Sequence, residues 1–169
     1  MKPDQKIKKL TMTALMAAVV FVVTYVIRVP MPVASGGYAN VGDASVYMAA
    51  ALLGGPAGMA AAAIGSGLAD ILAGAGLYIP ATIVIKGLMG FICGKLMERE
   101  GFARFLIAAI IGGAIMVGGY AAYEAAVVFQ ENPVMALLNV PMNLVQWACG
   151  VAVASAFYPA MPRIKRSLA

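Results

Sequence analysis

Residues 10–27, 44–69, 105–123 and 132–162 contain no Asp, Glu, Lys or Arg. A helix crosses the hydrocarbon core of a bilayer with about 20 apolar residues, so each stretch is long enough for a span. Soluble domains run at roughly 45–50% apolar and about 25% charged residues, whereas this chain of 169 residues is 63% hydrophobic and 11% charged. The 19 glycines and 9 prolines do not signal disorder, which requires low hydrophobicity and high charge. The sequence predicts an all-α integral membrane protein, one domain over residues 1–169, in contact with lipid along most of its length.

The net charge of +5 is not a nucleic-acid signature, because ten of the 12 Lys and Arg lie in three places. These are Lys2, Lys6, Lys8 and Lys9; Lys95, Arg99 and Arg104; and Arg163, Lys165 and Arg166. Basic segments mark the cytoplasmic side of a membrane protein. A basic start before an apolar run is also the pattern of a signal peptide. Here the run exceeds a usual h-region, and Pro30-Met31-Pro32 offers no small-residue cleavage site.

Five hydrophobic blocks stand out, at 8–29, 43–74, 79–97, 103–129 and 134–159. The second is too long for one ordinary span. Five spans would put two of the basic clusters outside. Dividing the second block at Gly54-Gly55-Pro56 gives six spans and gathers all three clusters on one face. The span before that turn is then only about 12 residues, too short to cross the full bilayer. Both termini are expected in the cytoplasm, and residues 29–42, 74–80 and 130–134 outside. Cysteines placed at Ser35, Lys95 and Ser167 would test this, Ser35 alone reacting from outside. The first outer loop, with Pro30, Pro32, Gly36, Gly37 and Gly42, reads as a long bent segment able to cap something.

Histidine is absent, which removes His-based acid–base or metal chemistry. Cys93 and Cys149 sit singly in apolar runs and read as packing residues. There is no G-x-x-x-x-G-K-[ST] to cradle a nucleotide and no Ser-centred elbow. The sequence predicts no enzyme, no cofactor and no bound metal; energy for uphill transport would come from another subunit.

Ionisable groups at membrane depth cost a few kcal/mol each on insertion scales and mark function by default. Here they crowd the outer half: Arg28, Asp43, Asp70, Lys86, Glu124 and Glu131, two positive against four negative. Asp43 follows Gly42 and reads first as a helix N-cap. Asp70 falls near a helix C-terminus, where the dipole disfavours an anion. Lys86 is too deep to snorkel, with Asp70 or Glu124 as its expected structural partners. Tyr120 and Glu124 share a face at i, i+4. Asn139, Asn143 and Gln146 form one stripe beside Trp147, and Pro141 is expected to open the helix there. With Tyr38 and Asn40 from the first loop and Tyr78 and Thr82 at the start of the fourth span, they outline an outward-facing pocket for a small, flat, hydrogen-bonding solute.

The inner half carries small residues instead: Ala14, Ala17 and Ala18 in the first span, Gly58, Ala62, Gly65 and Ala69 in the third, Gly90 and Gly94 in the fourth. Such faces let helices approach closely. Most should pack within the bundle. Ala14 and Ala18, on a helix expected to be peripheral, are assigned to docking of another membrane protein.

Several strings resemble one family, the substrate-binding S subunits of energy-coupling factor (ECF) transporters, which take up vitamins in prokaryotes. They are Ala14-Leu15-Met16-Ala17-Ala18, Gly37-Tyr38-Ala39-Asn40-Val41-Gly42-Asp43, Leu53-Gly54-Gly55-Pro56-Ala57-Gly58, and Gly65-Ser66-Gly67-Leu68-Ala69-Asp70 through Pro80-Ala81-Thr82 to Lys86-Gly87. Nearly the whole chain is covered, and the branch it resembles includes hydroxymethylpyrimidine and pyridoxine-type transporters. The resemblance implies a six-helix bundle in the prokaryotic cell membrane. It implies capture of a small vitamin or precursor beneath the first outer loop, a membrane scaffold subunit of the T type on the first helix, and two cytosolic ATPase subunits. Riboflavin is the larger alternative substrate, and a stand-alone secondary transporter the alternative class.

Overall fold

The computed structural model describes residues 3–33 and 36–168. Lys2 of the first basic cluster and Ser35 of the first loop lie outside the described residues. The elements run α1 (Pro3–Val26), β1 (Arg28–Pro30), β2 (Tyr38–Asn40), α2 (Gly42–Leu53), α3 (Gly55–Ala73), α4 (Ile79–Leu96), α5 (Phe102–Tyr123), α6 (Val140–Phe157) and α7 (Met161–Leu168). Short 3-10 turns occupy Gly76–Tyr78, Pro133–Leu138 and Tyr158–Ala160, and a π turn extends α5 over Glu124–Val128.

Five helical segments are long and apolar enough to cross a membrane: Asp4–Val26, Gly55–Ala73, Gly76–Leu96, Phe102–Val128 and Pro133–Ser167. The sixth apolar helix is α2. Its 12 residues reach about 18 Å at 1.5 Å per residue, against a hydrocarbon core of about 30 Å. The division at Gly54 follows from backbone geometry. Gly54 has φ +77°, a left-handed conformation that glycine adopts without steric cost, and Pro56 sits in the first turn of α3, where its missing N–H removes no bond.

The short α2 lies at the centre, with Gly42 through Tyr47, Ala49 and Ala50 all buried. Its own Val46 and Tyr47 pack in the core with Val20, Met89, Phe105 and Met116 from the helices around it. The Tyr47 hydroxyl donates to the Ala109 carbonyl at 3.0 Å, tying α2 to α5. Outward the chain is apolar in the opposite sense from a soluble protein: Leu15, Ile64, Leu68, Val84, Ile110 and Val145 are exposed. Those side chains meet lipid, which asks for no polar cover.

The small residues expected to pack within the bundle do so. A Cβ on Gly65 would fall 2.5 Å from the Ala17 carbonyl oxygen, one on Gly90 2.7 Å from that of Gly58, and one on Gly94 2.5 Å from the Gly54 carbonyl carbon. Only bare backbone fits at those crossings. Ala17 is buried there, whereas Ala14 and Ala18 face out from the bundle.

Three local features differ from the sequence reading. The first loop is an antiparallel hairpin with Arg28 opposite Asn40 and Pro30 opposite Tyr38; strands of three residues are too short to show alternation. Pro141 does not open a helix: it sits in the first turn of α6, where proline is tolerated. The basic C-terminal segment forms α7, whose first residue, Met161, is buried. The Gly54 turn, the 97–101 loop and α7 lie together at one end, where the Gly101 N–H donates to the Tyr158 hydroxyl at 2.9 Å. The hairpin lies at the other.

Candidate functional site

The hairpin end holds nearly all the buried polarity among the described residues: Thr24, Asp43, Ser45, Ser66, Asp70, Thr82, Lys86, Glu124, Asn139, Asn143 and Gln146. Three hydrogen-bonded groups organise it.

The first is built on Asp43, in the first turn of α2. Asp43 is fully buried and does not cap its helix: Val41 occupies the N-cap position with no side-chain bond. Its Oδ1 instead accepts from the Lys86 ammonium, and its Oδ2 from the Gln146 amide at 3.0 Å. Lys86 therefore pairs with Asp43, not with Asp70 or Glu124 as expected. The central position of α2, invisible in the pattern of α4 alone, is what brings the two together. The Gln146 carbonyl oxygen accepts the Asn40 backbone N–H at 2.9 Å, fixing β2 to α6.

The second group surrounds Glu124, the first residue of the π turn, a local unwinding that recurs at functional sites. The Tyr78 hydroxyl donates to Oε1 at 2.9 Å and the Asn139 amide to Oε2 at 3.2 Å. Asn139 in turn accepts the Val33 backbone N–H at 3.4 Å. The third group joins the hairpin to α3. The Tyr38 hydroxyl donates to Asp70 Oδ1 at 2.5 Å, and burial together with that carboxylate pushes the phenol pKa of Tyr38 far above its usual range. The Arg28 guanidinium lies over the Tyr25 ring at 4.2 Å and the Tyr38 ring at 5.4 Å, a cation–π arrangement. Thr82 and Tyr120 share a hydroxyl–hydroxyl bond of 3.0 Å, and the Lys86 ammonium stands 5.6 Å from the Tyr120 ring centre.

Between these groups lies a narrow, partly open cavity. Of the residues singled out from sequence, Tyr38, Asn40, Asp70, Tyr78, Thr82, Lys86, Tyr120, Glu124, Asn143 and Gln146 line it. Asn139 and Trp147 do not: Asn139 is spent on Glu124 and Val33. Trp147 donates to the Ala109 carbonyl at 2.9 Å and packs on Gly113. One residue along a helix turns a side chain by about 100°, so adjacency to Gln146 does not put Trp147 on the same face.

Two polar lining residues were not singled out from the sequence, Thr24 and Ser66. The readable signal for Ser66 was its spacing of i, i+4 from Asp70 on α3; Thr24 was a polar residue late in an apolar span. Both matter. Thr24 Oγ1, Ser66 Oγ, Asp70 Oδ2 and Asn143 Nδ2 are buried and have no hydrogen-bond partner among the described residues. All four belong to walls of the one cavity. A buried polar atom left unmatched costs about 1–3 kcal/mol, and four on the walls of one cavity call for a partner inside it.

Among the described residues no cluster of His, Cys, Asp or Glu could hold a metal ion. A lipid-facing helical bundle with a polar, aromatic-walled cavity at one end is the build of a multi-pass membrane transport component. The chain belongs to the family described as ECF-type riboflavin transporter, S component, whose model matches residues 4–163. It is 26% identical over 160 residues to the thiamine precursor transporter HmpT of Lactococcus lactis subsp. cremoris (strain MG1363), covering 95% of this chain and 91% of that one. An uncharacterized protein of Pyrococcus woesei, encoded in the gap 3' region, is 39% identical over 102 residues, or 60% of this chain and 68% of that one.

Proposed function

We propose that this chain is the substrate-capturing subunit of an ECF-type vitamin transporter, and that its ligand is a small neutral or weakly basic heteroaromatic precursor such as hydroxymethylpyrimidine or a pyridoxine-like ring. The observation that carries this reading is the set of four unmatched polar atoms around one aromatic-walled cavity. They call for a ligand that both donates and accepts. Tyr38, Tyr78 and Tyr120 supply ring faces. The buried charges nearby are Lys86 against Asp43, Asp70 and Glu124, one positive and three negative, a balance that disfavours phosphate esters and other anions. The name of the related Lactococcus protein supports the pyrimidine class.

Riboflavin is the second reading, favoured by the description of the matching family. It demands more length than a single ring. In either case the hairpin is the cap of the site, joined to α3 by Tyr38 and to α6 by Asn40. The basic end is cytoplasmic by its charge. The outward-facing Ala14 and Ala18 of α1 supply the docking face for a T-type scaffold subunit, which works with two ATPase subunits.

Calorimetric titration of the purified protein with hydroxymethylpyrimidine, pyridoxine, thiamine and riboflavin tests the ligand class. Saturable binding of a single-ring compound is the expected result. Binding of riboflavin alone selects the second reading, and binding of none refutes both.

A further inference from the structure

The three polar groups leave one carboxylate oxygen over. On α3, Ser66 and Asp70 stand one turn apart, and Asp70 is 4% exposed. Its Oδ1 is taken by the Tyr38 hydroxyl at 2.5 Å, while Oδ2 borders the cavity and meets no donor at hydrogen-bond geometry; the Thr82 hydroxyl also acts on this carboxylate but is shared with Tyr120. An ionised carboxylate only accepts hydrogen bonds; unlike an amide it cannot be turned round to donate. The two nearest cations are engaged elsewhere, Lys86 by Asp43 and Arg28 by the rings of Tyr25 and Tyr38. Asp70 also lies in the last turn of α3, where the helix dipole adds no stabilisation to an anion. A ligand N–H is the donor that can reach Oδ2 from the cavity side without breaking the Thr82–Tyr120 or Lys86–Asp43 bonds.

Building on the proposed ligand class, we infer that Asp70 is the specificity-determining residue of the cavity: its free Oδ2 accepts an N–H from an amino-substituted ring, and Tyr38 is the positioning residue that holds Oδ1 so that Oδ2 faces inward. Selection is by a difference between two ligands. A ring bearing an exocyclic amine satisfies Oδ2, and the same ring with hydrogen in place of the amine leaves it bare.

The test is a two-by-two comparison of dissociation constants by calorimetry, using 4-amino-5-hydroxymethyl-2-methylpyrimidine and its des-amino analogue on the parent and on Asp70→Asn. The parent favours the amino compound about tenfold or more, the cost of one unmatched buried acceptor. In Asp70→Asn the Tyr38 hydroxyl still holds the amide oxygen and Nδ2 faces the cavity. A donor then meets a donor, and the preference falls to about twofold or reverses. An unchanged preference in Asp70→Asn overturns the role of Asp70 while leaving the ligand class standing. A parent that binds neither ring removes the ligand class, and this assignment with it. Thermal unfolding in detergent reports whether the variant folds. If it does not, Tyr38→Phe gives the reading instead: with Oδ1 released the carboxylate turns freely and the amino preference shrinks about threefold. An undiminished preference there overturns the assignment.

Discussion

The two ends of this bundle are built on opposite rules. At the basic end, Gly58, Gly90 and Gly94 bring backbones into direct contact, and an added Cβ on any of them would fall within 3.0 Å of a neighbouring backbone atom. At the hairpin end, hydrogen-bonded polar side chains fill the space between the helices and line a narrow cavity that keeps unmatched atoms. Glycine contacts carry no information about a solute; they lock helices. Polar walls with unmatched atoms give up stability in the empty state and recover it when a solute arrives. Rigidity and recognition are thus separated along the membrane normal, and the short α2 belongs to both, with Asp43 at one end and Gly54 at the other.

The separation can be broken most severely at Lys86. Lys86→Met leaves Asp43 buried without its cation, and destabilisation of about 3–5 kcal/mol is expected. Chemical unfolding measures it, and Asp43→Asn in the same chain should return part of the loss. At the other end, Gly94→Val drives a side chain into the backbone of Gly54 and Gly55. Overpacking of this kind costs about 1–3 kcal/mol, with ligand affinity unchanged in the protein that folds. Asn143→Ala should do the reverse. Its Nδ2 has no protein partner to lose, so the melting temperature holds while affinity falls about 5- to 150-fold, the range that one lost buried hydrogen bond covers. The smallest effect belongs to α1: Ala14→Leu points outward, and both affinity and unfolding should match the parent. Ala18→Trp should behave alike in these assays yet abolish ATP-driven uptake in vesicles holding the whole transporter. Uptake that survives would remove the docking role of this face.

How much of this was legible in the chain depends on the scale. Uncharged length announced the spans, and Gly54-Gly55-Pro56 announced the division that leaves α2 short. The crowding of Asp43, Asp70, Lys86 and Glu124 toward one end was legible too, because charge in hydrocarbon is costly wherever it stands. Partners were not. Helical period says which residues of α4 share a face, not which helix that face meets, so it cannot single out Asp43 over Asp70 or Glu124 as the partner of Lys86. Thr24 and Ser66 are small hydroxyl residues that also occur as ordinary interhelical glue, and only the cavity they border separates the two uses. The hairpin was hidden for another reason: its pairing rests on backbone atoms of three residues a side and leaves no side-chain signature.

The indole of Trp147, seated on Gly113 and bonded to the Ala109 carbonyl, is the chain's single tryptophan. Its emission therefore comes from one place, the seam between α5 and α6, one helical turn from Asn143. Filling the cavity without parting those helices leaves the emission maximum where it is. Any movement that separates them breaks the N–H bond, admits water or lipid to the ring and shifts the spectrum. The molecule thus carries its own optical gauge of helix separation, readable in an intact membrane without a label.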